Sequence, residues 1–267
     1  MSQPQPTPYP PLNAVLGALV AGVRGVLGGN FAGAYLQGSF AVGDFDEHSD
    51  CDFIVVTEAE LTGAEVAALQ AVHGRIYDRP AAWAQHLEGS YFPRAVLRDT
   101  AQAGRPLWYL DHGSRALARN PHDNTVVVRW VVREWGVRLA GPPPRPLVDP
   151  IPVAVLRAQI AAVMRDWGRD ILAAPEPWAN RFFQGFIVLH YCRMLHDYRQ
   201  GAPGSKRAGA EWAKATLDPA WAPLIDRAWA TRPDPARSVR TPADPADFAA
   251  TLAFLRTVLA ELDQPLA

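Results

Sequence analysis

The stretch from Ala34 to Val56 constrains the fold of this chain more than any other. Ala34-Tyr35-Leu36 is apolar and runs into Gln37-Gly38-Ser39. After a short linker, Ser49-Asp50-Cys51-Asp52 opens the β-branched run Phe53-Ile54-Val55-Val56. The pattern predicts a strand, a tight turn and a second, buried strand. Side chains alternate along a strand, so Asp50 and Asp52 are expected on one face. Two neighbouring carboxylates repel unless something cationic sits between them. Carboxylates favour Mg²⁺, which takes one or two acids plus substrate phosphates. Gly38 lets a backbone approach a phosphate closely, and Ser39 adds a hydroxyl and an amide donor. The competing reading is a polar turn with two solvated acids.

Gly38-Ser39 followed by Asp50-x-Asp52 resembles the signature of the nucleotidyltransferase superfamily that includes DNA polymerase β. The resemblance implies that Gly38 and Ser39, with Ser49 beside the acids, hold a nucleoside triphosphate. It implies that Asp50 and Asp52 hold Mg²⁺.

The chain has 267 residues, enough for one large or two ordinary domains with a sizeable core. Its formal net charge is −1 and it carries no local basic stripe, so no nucleic-acid partner is expected. Cys51 and Cys192 lie far apart in apolar contexts and form neither a metal motif nor a disulfide framework, which fits a reducing cytoplasm. No signal peptide is evident, and no apolar run is read as long enough to span a bilayer.

The Pro/Gln stretch 1–11 is expected to be a disordered tail. Leu12, Val15, Leu16, Leu19, Val23 and Leu27 then follow helical spacing up to Gly28-Gly29. Thr62 and Glu65 form a capping-box pattern that starts a helix to about His73. Residues 85–92 read as a third strand, and Glu88 is an acid inside it. Beside the Asp50/Asp52 strand, Glu88 completes a carboxylate triad. It can then take the proton of an attacking hydroxyl or share the metal. Its competing reading is a solvent-facing glutamate on an edge strand. Asp78 and Asp99 are rival third acids, ranked lower because they read as loop or helix-end residues. A helix is expected over 124–139, capped by Asp123 or Asn124. Gly141-Pro-Pro-Pro-Arg-Pro146 ends it.

A boundary is therefore placed at 145/146, giving a nucleotidyltransferase domain over 12–145 and a second domain over 146–267. The second half reads as helices throughout: one around Leu156–Ile171, one around Phe182–Tyr198, one holding Trp212, and one around Phe248–Leu262. The expected class is α+β: a mixed sheet with flanking helices, followed by an all-α helical bundle. On the second of those helices His190, Arg193 and Asp197 share a face. Arg193 either meets an anion or pairs with Asp197 at the surface. Lys206 opens the next helix, where it suits a phosphate or is simply solvated.

The second half carries its own resemblance. Tyr191-Cys192-Arg193-Met194-Leu195, Gly201, Ser205-Lys206-Arg207, Glu211-Trp212-Ala213 and Trp221-x-Pro223-Leu224-Ile225 resemble the helical C-terminal domain of aminoglycoside adenylyltransferases of the 3″/9 (streptomycin/spectinomycin) type. With the N-terminal signature, this likeness covers most of the chain. It implies ATP and Mg²⁺ on the first domain, with Glu88 as base and as a third metal carboxylate. It implies Arg193 and Lys206 on the phosphates, and a small hydroxylated acceptor between the domains of a monomer. One position departs from the pattern: members acting on streptomycin carry an acid where this chain has Phe183. Glu176, Asp44, Asp46, Glu47 and Asp197 would have to supply negative charge for a cationic acceptor. Two other readings remain: the same chemistry on a protein or nucleic-acid end, and a non-catalytic nucleotide-binding relative.

Overall fold

The computed structural model of the protein describes residues 5–47, 49–232 and 238–266. It divides into two compact units, Met1–Ile151 and Pro152–Ala267.

The first unit is built on a six-stranded sheet. Its strands are β1 (Phe31–Leu36), β2 (Cys51–Thr57), β3 (Leu87–Pro93), β4 (Leu107–Leu110), β5 (Leu117–Asn120) and β6 (Val137–Ala140). Their order across the sheet is β5-β4-β3-β2-β1-β6. β2 and β3 run parallel and every other neighbouring pair is antiparallel, so the sheet is mixed. Strand alternation sorts side chains into two cores. Cys51, Phe53 and Val55 of β2 and Leu87 and Tyr91 of β3 enter one, with Leu12, Leu16, Leu19 and Val23 of helix α1 (Pro10–Leu27). Ile54, Val56 and Phe92 enter the other, with Tyr35, Leu97 and Val132. Asp52 and Glu88 continue the rows of this second face, at its polar end.

Helix α1 begins close to where the sequence predicts it. Of the stretch expected to be a tail, residues 1–4 lie outside the described residues. The remainder is tied down: Thr7 is buried, and its hydroxyl donates to Asn13 Oδ1 at 2.8 Å. One expectation is corrected. Pro10–Asn30 is apolar and long enough to cross a membrane by length and composition, with a mean hydropathy of 1.5. Its Leu and Val residues supply that average, and six of them, Leu12, Val15, Leu16, Leu19, Val23 and Leu27, form a stripe buried in the core.

The short helix α2 (Gly38–Val42) replaces the tight turn expected after β1. Helix α3 (Gly63–Tyr77) starts with the expected capping box: Thr62 Oγ1 accepts from Glu65 N at 3.2 Å, and Thr62 N donates to Glu65 Oε2 at 2.7 Å. After β3 comes the single turn α4 (Arg94–Arg98), and after β5 comes α5 (Val126–Trp135). The helix predicted to Leu139 stops at Gly136, and its last apolar residues belong to β6. A Cβ on Gly136 would lie 2.5 Å from the Val132 carbonyl oxygen. The chain leaves the helix there in an extended conformation and pairs with β1. The α5 cap is Thr125, not Asp123 or Asn124. Arg129 is fully buried on α5, and its guanidinium donates to the carbonyls of Val96, Leu97 and Thr125. These bonds tie α5 to α4 and satisfy a charge that burial would otherwise penalise. Residues 146–151, placed by the sequence reading in the second domain, pack on this unit through Leu147, Val148 and Ile151.

A buried histidine links this core to pH. His73 on α3 bonds the Tyr91 hydroxyl at 2.7 Å, and burial pushes its pKa from 6.5 down to about 4. The unfolded chain therefore takes up the proton first as pH falls. The stability owed to neutral His73 is complete above about pH 6.5 and is lost as pH falls toward about 4. Between pH 7 and pH 4 the loss is roughly 3 kcal/mol. In His73→Gln the difference in urea-unfolding free energy between those pH values shrinks by about that amount. An unchanged difference would mean that other groups carry the acid sensitivity.

Among its described residues the regular elements of the second unit are helices: α6 (Val153–Ala173), α7 (Arg181–Gln200), α8 (Lys206–Thr216), α9 (Ala222–Ala230) and α10 (Pro245–Ala260). α7 is its centre and packs on the other four. Glycines let helices approach α7 closely. A Cβ on Gly209 of α8 would lie 2.5 Å from Arg193 Cα, and one on Gly168 of α6 would lie 3.0 Å from the Tyr191 hydroxyl. α7 ends where the sequence predicts, at Gly201 with φ 70°. The Pro/Arg stretch expected as a loop over 232–247 includes residues 233–237, which lie outside the described residues.

Candidate active site

The parallel ladder of β2 and β3 sets the site. Asp52 and Glu88 are Cα partners in register, so their side chains leave the same face of adjacent strands. Gly38 starts α2 directly against Asp52. Its φ is +57°, and a Cβ there would fall 1.9 Å from Asp52 Oδ2. The β1–α2 junction is fixed by Gln37 N, which donates to the Asp52 carbonyl at 2.9 Å. Ser39 Oγ is buried and has no hydrogen-bond partner. A buried hydroxyl of this kind is costly unless a ligand atom satisfies it.

Asp50 lies one residue before β2. Its Oδ1 is 3.1 Å from His112 Nε2. Ser49 is committed to its own loop, since its Oγ accepts from Asp46 N at 2.9 Å. The two rival acids are engaged elsewhere: Asp78 pairs with Arg115 at 2.7 Å, and Asp99 Oδ1 caps Ala101 N at 2.9 Å.

Glu88 is held by two side chains that the sequence reading did not single out. The Tyr109 hydroxyl on β4 donates to Glu88 Oε1 at 2.5 Å, and His122 Nε2 lies 3.2 Å from the same oxygen. Burial pushes the Glu88 carboxyl up, but the bonds from His122 and Tyr109 outweigh it and hold it below the usual carboxylate range. His122 rises to about 9, chiefly through its bond to Glu88 and against its own burial. The Tyr109 hydroxyl is pushed far up by burial and by the Glu88 carboxylate. Behind them Asp123 is buried, and burial raises it to about 6. It accepts from Ser90 Oγ at 2.8 Å and from Gln37 Nε2 at 3.4 Å. Ser90 lies two residues beyond Glu88 on the same face, so the period of two was the available signal for this partner. Tyr109, His122 and Asp123 reach it through β4 and the β5–α5 turn, which only the tertiary structure brings close.

In the second unit, the α7–α8 crossing brings Arg193 and Lys206 to the same neighbourhood. Burial drives His190 well below its ordinary pKa, and the positive charges of Lys206 and Arg193 push it further. Lys206 Nζ sits 5.7 Å above the Phe186 ring. Asp197 is neither a surface partner of Arg193 nor open to an acceptor. It is buried, and its Oδ1 accepts from Gly204 N at 2.7 Å and meets His196 Nδ1 at 2.9 Å, which closes the α7–α8 turn. Phe183 lies among Trp178, Phe182 and Phe186.

A carboxylate pair on parallel neighbours, faced by a Gly-Ser helix start and followed by a helical unit, defines the class: a protein of nucleotidyltransferase fold. Comparison narrows the class. Residues 146–250 match the family model described as aminoglycoside adenylyltransferase, C-terminal domain. The fold also aligns with the crystal structure of spectinomycin adenyltransferase AAD(9) from Enterococcus faecialis with ATP and spectinomycin. The TM-score is 0.68 at 13% identity, over 94% of this chain and 99% of that chain. No curated protein matches the sequence significantly. The chain is thus similar to aminoglycoside adenylyltransferases in sequence over residues 146–250 and to a spectinomycin adenyltransferase in fold.

Proposed function

We propose that the protein transfers AMP from ATP to a hydroxyl of an aminoglycoside. The observation that carries this reading is the in-register Asp52/Glu88 pair with Gly38 set against Asp52. The match of residues 146–250 and the ATP and spectinomycin named with the similar structure support the substrate pair.

The donor set suits Mg²⁺, a hard cation that favours carboxylate oxygens and keeps room for phosphate. Asp50, Asp52 and Glu88 would hold it, and when bound it neutralises charge on the triphosphate. Gly38 presents its backbone and Ser39 its orphaned hydroxyl to the phosphates. Ser49 contributes through the position of its loop. Arg193 and Lys206 add the positive charge that the leaving pyrophosphate needs. Glu88 takes the proton of the acceptor hydroxyl at Oε. The hydroxyl oxygen forms its bond to the α-phosphorus as the bond to the bridging oxygen breaks and pyrophosphate departs. Tyr109 and His122 fix the Glu88 carboxylate for this step, so the work is mostly positioning and electrostatics.

Two of the positions weighed for a cationic acceptor supply no charge to it. Phe183 sits in an aromatic group, and Asp197 is spent inside the fold. Spectinomycin is therefore expected to accept AMP and streptomycin to fail. The test incubates the protein with Mg²⁺, labelled ATP and a panel of aminoglycosides, and reads product mass for an added AMP. No added mass on any of them, with pyrophosphate released on another acceptor, would transfer the reading to a protein or nucleic-acid substrate.

A further inference from the structure

Beside the carboxylate pair lies a second group of ligating side chains that the transfer reaction does not use as a set. Asp50, His86 and His112 each offer one ligand atom, and these atoms all lie within 4.8 Å of one another. His112 Nε2 is 3.1 Å from Asp50 Oδ1 and 2.9 Å from His86 Nδ1.

The backbone holds these residues on three different segments. His86 ends the turn Ala82–Gln85 before β3, and its carbonyl accepts from Cys51 N at 2.8 Å. That bond lies at the opening of the β2–β3 ladder, so it also fixes Asp50. His112 stands in the β4–β5 turn, next to Gly113 at φ 69°.

Within the group His112 Nε2 is the atom that meets both His86 Nδ1 and Asp50 Oδ1. A cation satisfies all three lone pairs at once. Tetrahedral Zn²⁺ holds nitrogen and oxygen ligands at about 2.0–2.2 Å, which sets them roughly 3.3 Å apart. The 2.9 and 3.1 Å separations differ from that by only a few tenths of an ångström. Two imidazoles with one carboxylate favour a borderline transition metal over Mg²⁺, which prefers oxygen throughout.

We infer that Asp50, His86 and His112 form a site for a divalent transition cation of the Zn²⁺ class, which shares Asp50 with the proposed Mg²⁺ position of Asp50, Asp52 and Glu88. Three protein ligands leave at least one coordination position for water. Asp50 belongs to both carboxylate groupings, so loading this site withdraws it from the nucleotide's metal and lowers transfer.

The test is calorimetric titration of the full chain with Zn²⁺ in excess Mg²⁺, repeated for His86→Ala and His112→Ala. One equivalent is expected to bind the unaltered protein. Each substitution is expected to weaken that binding at least about 100-fold, since loss of even an outer-shell partner costs 10–100-fold. Co²⁺ serves as a second readout that needs no variant, because it should give the intense visible bands of a four- or five-coordinate site. Equal Zn²⁺ affinity in both variants, or only the weak spectrum of hydrated Co²⁺, would overturn the inference. Neither readout depends on the transfer reaction, so failure here leaves the proposed function standing, and the reverse holds too.

Discussion

Glu88→Gln is expected to lower turnover by about 10²- to 10⁴-fold while leaving ATP affinity near that of the unaltered protein. The substitution preserves shape and removes one proton-accepting oxygen. The amide oxygen of the new side chain can still accept the Tyr109 hydroxyl, which donates at 2.5 Å to the native carboxylate, so the side chain keeps its place on β3. What disappears is the negative charge that His122 faces at 3.2 Å and the base that would receive the acceptor proton. Binding of ATP should depend mainly on Gly38, Ser39 and the basic residues. Single-turnover rates and equilibrium nucleotide binding, measured on the same preparation, separate the two effects. Near-native turnover would remove Glu88 from the proton-transfer role. A parallel loss of ATP binding would assign it to the nucleotide instead.

How much of this was legible beforehand follows from the range of each interaction. The α3 capping box, the α7 stop at Gly201 and the faces of β2 and β3 are local: each depends on residues within one turn or one strand. β4 and β5 are four-residue strands, too short for a period of two to stand out, and β6 was absorbed into a helix by an accidental continuation of apolar spacing. The site divides the same way. Gly38, Asp52 and Glu88 were readable because motif and alternation point at them. Tyr109, His122, His86 and His112 come from the β4–β5 region and from turns whose positions only the assembled sheet determines. Asp197 was misjudged for a related reason. Helical spacing placed it on a face with Arg193, but its oxygen is taken by an amide beyond the helix end.

The second large effect is expected from Gly38→Ala, with Gly43→Ala as its companion. Both glycines adopt left-handed backbone, with φ of +57° and +77°, so an alanine at either costs about 1 kcal/mol of backbone strain. They differ in what the new methyl group meets. At Gly43 nothing lies within 4 Å, whereas at Gly38 the methyl would fall 1.9 Å from Asp52 Oδ2 and 2.6 Å from its Cγ. Asp52 must then swing away or α2 must lift off β2, and either movement exceeds an ångström. Misplacement on that scale costs about 10²-fold in rate. Gly43→Ala is accordingly expected to lose modest thermal stability and Gly38→Ala at least as much, while only Gly38→Ala loses adenylyl transfer by about 10²-fold or more. Equal activity in the two would show that the seat of Asp52 against the Gly38 backbone does not matter to the reaction. A large loss confined to Gly38→Ala would tie the rate to that contact, because backbone strain is common to both variants and the collision with Asp52 is not.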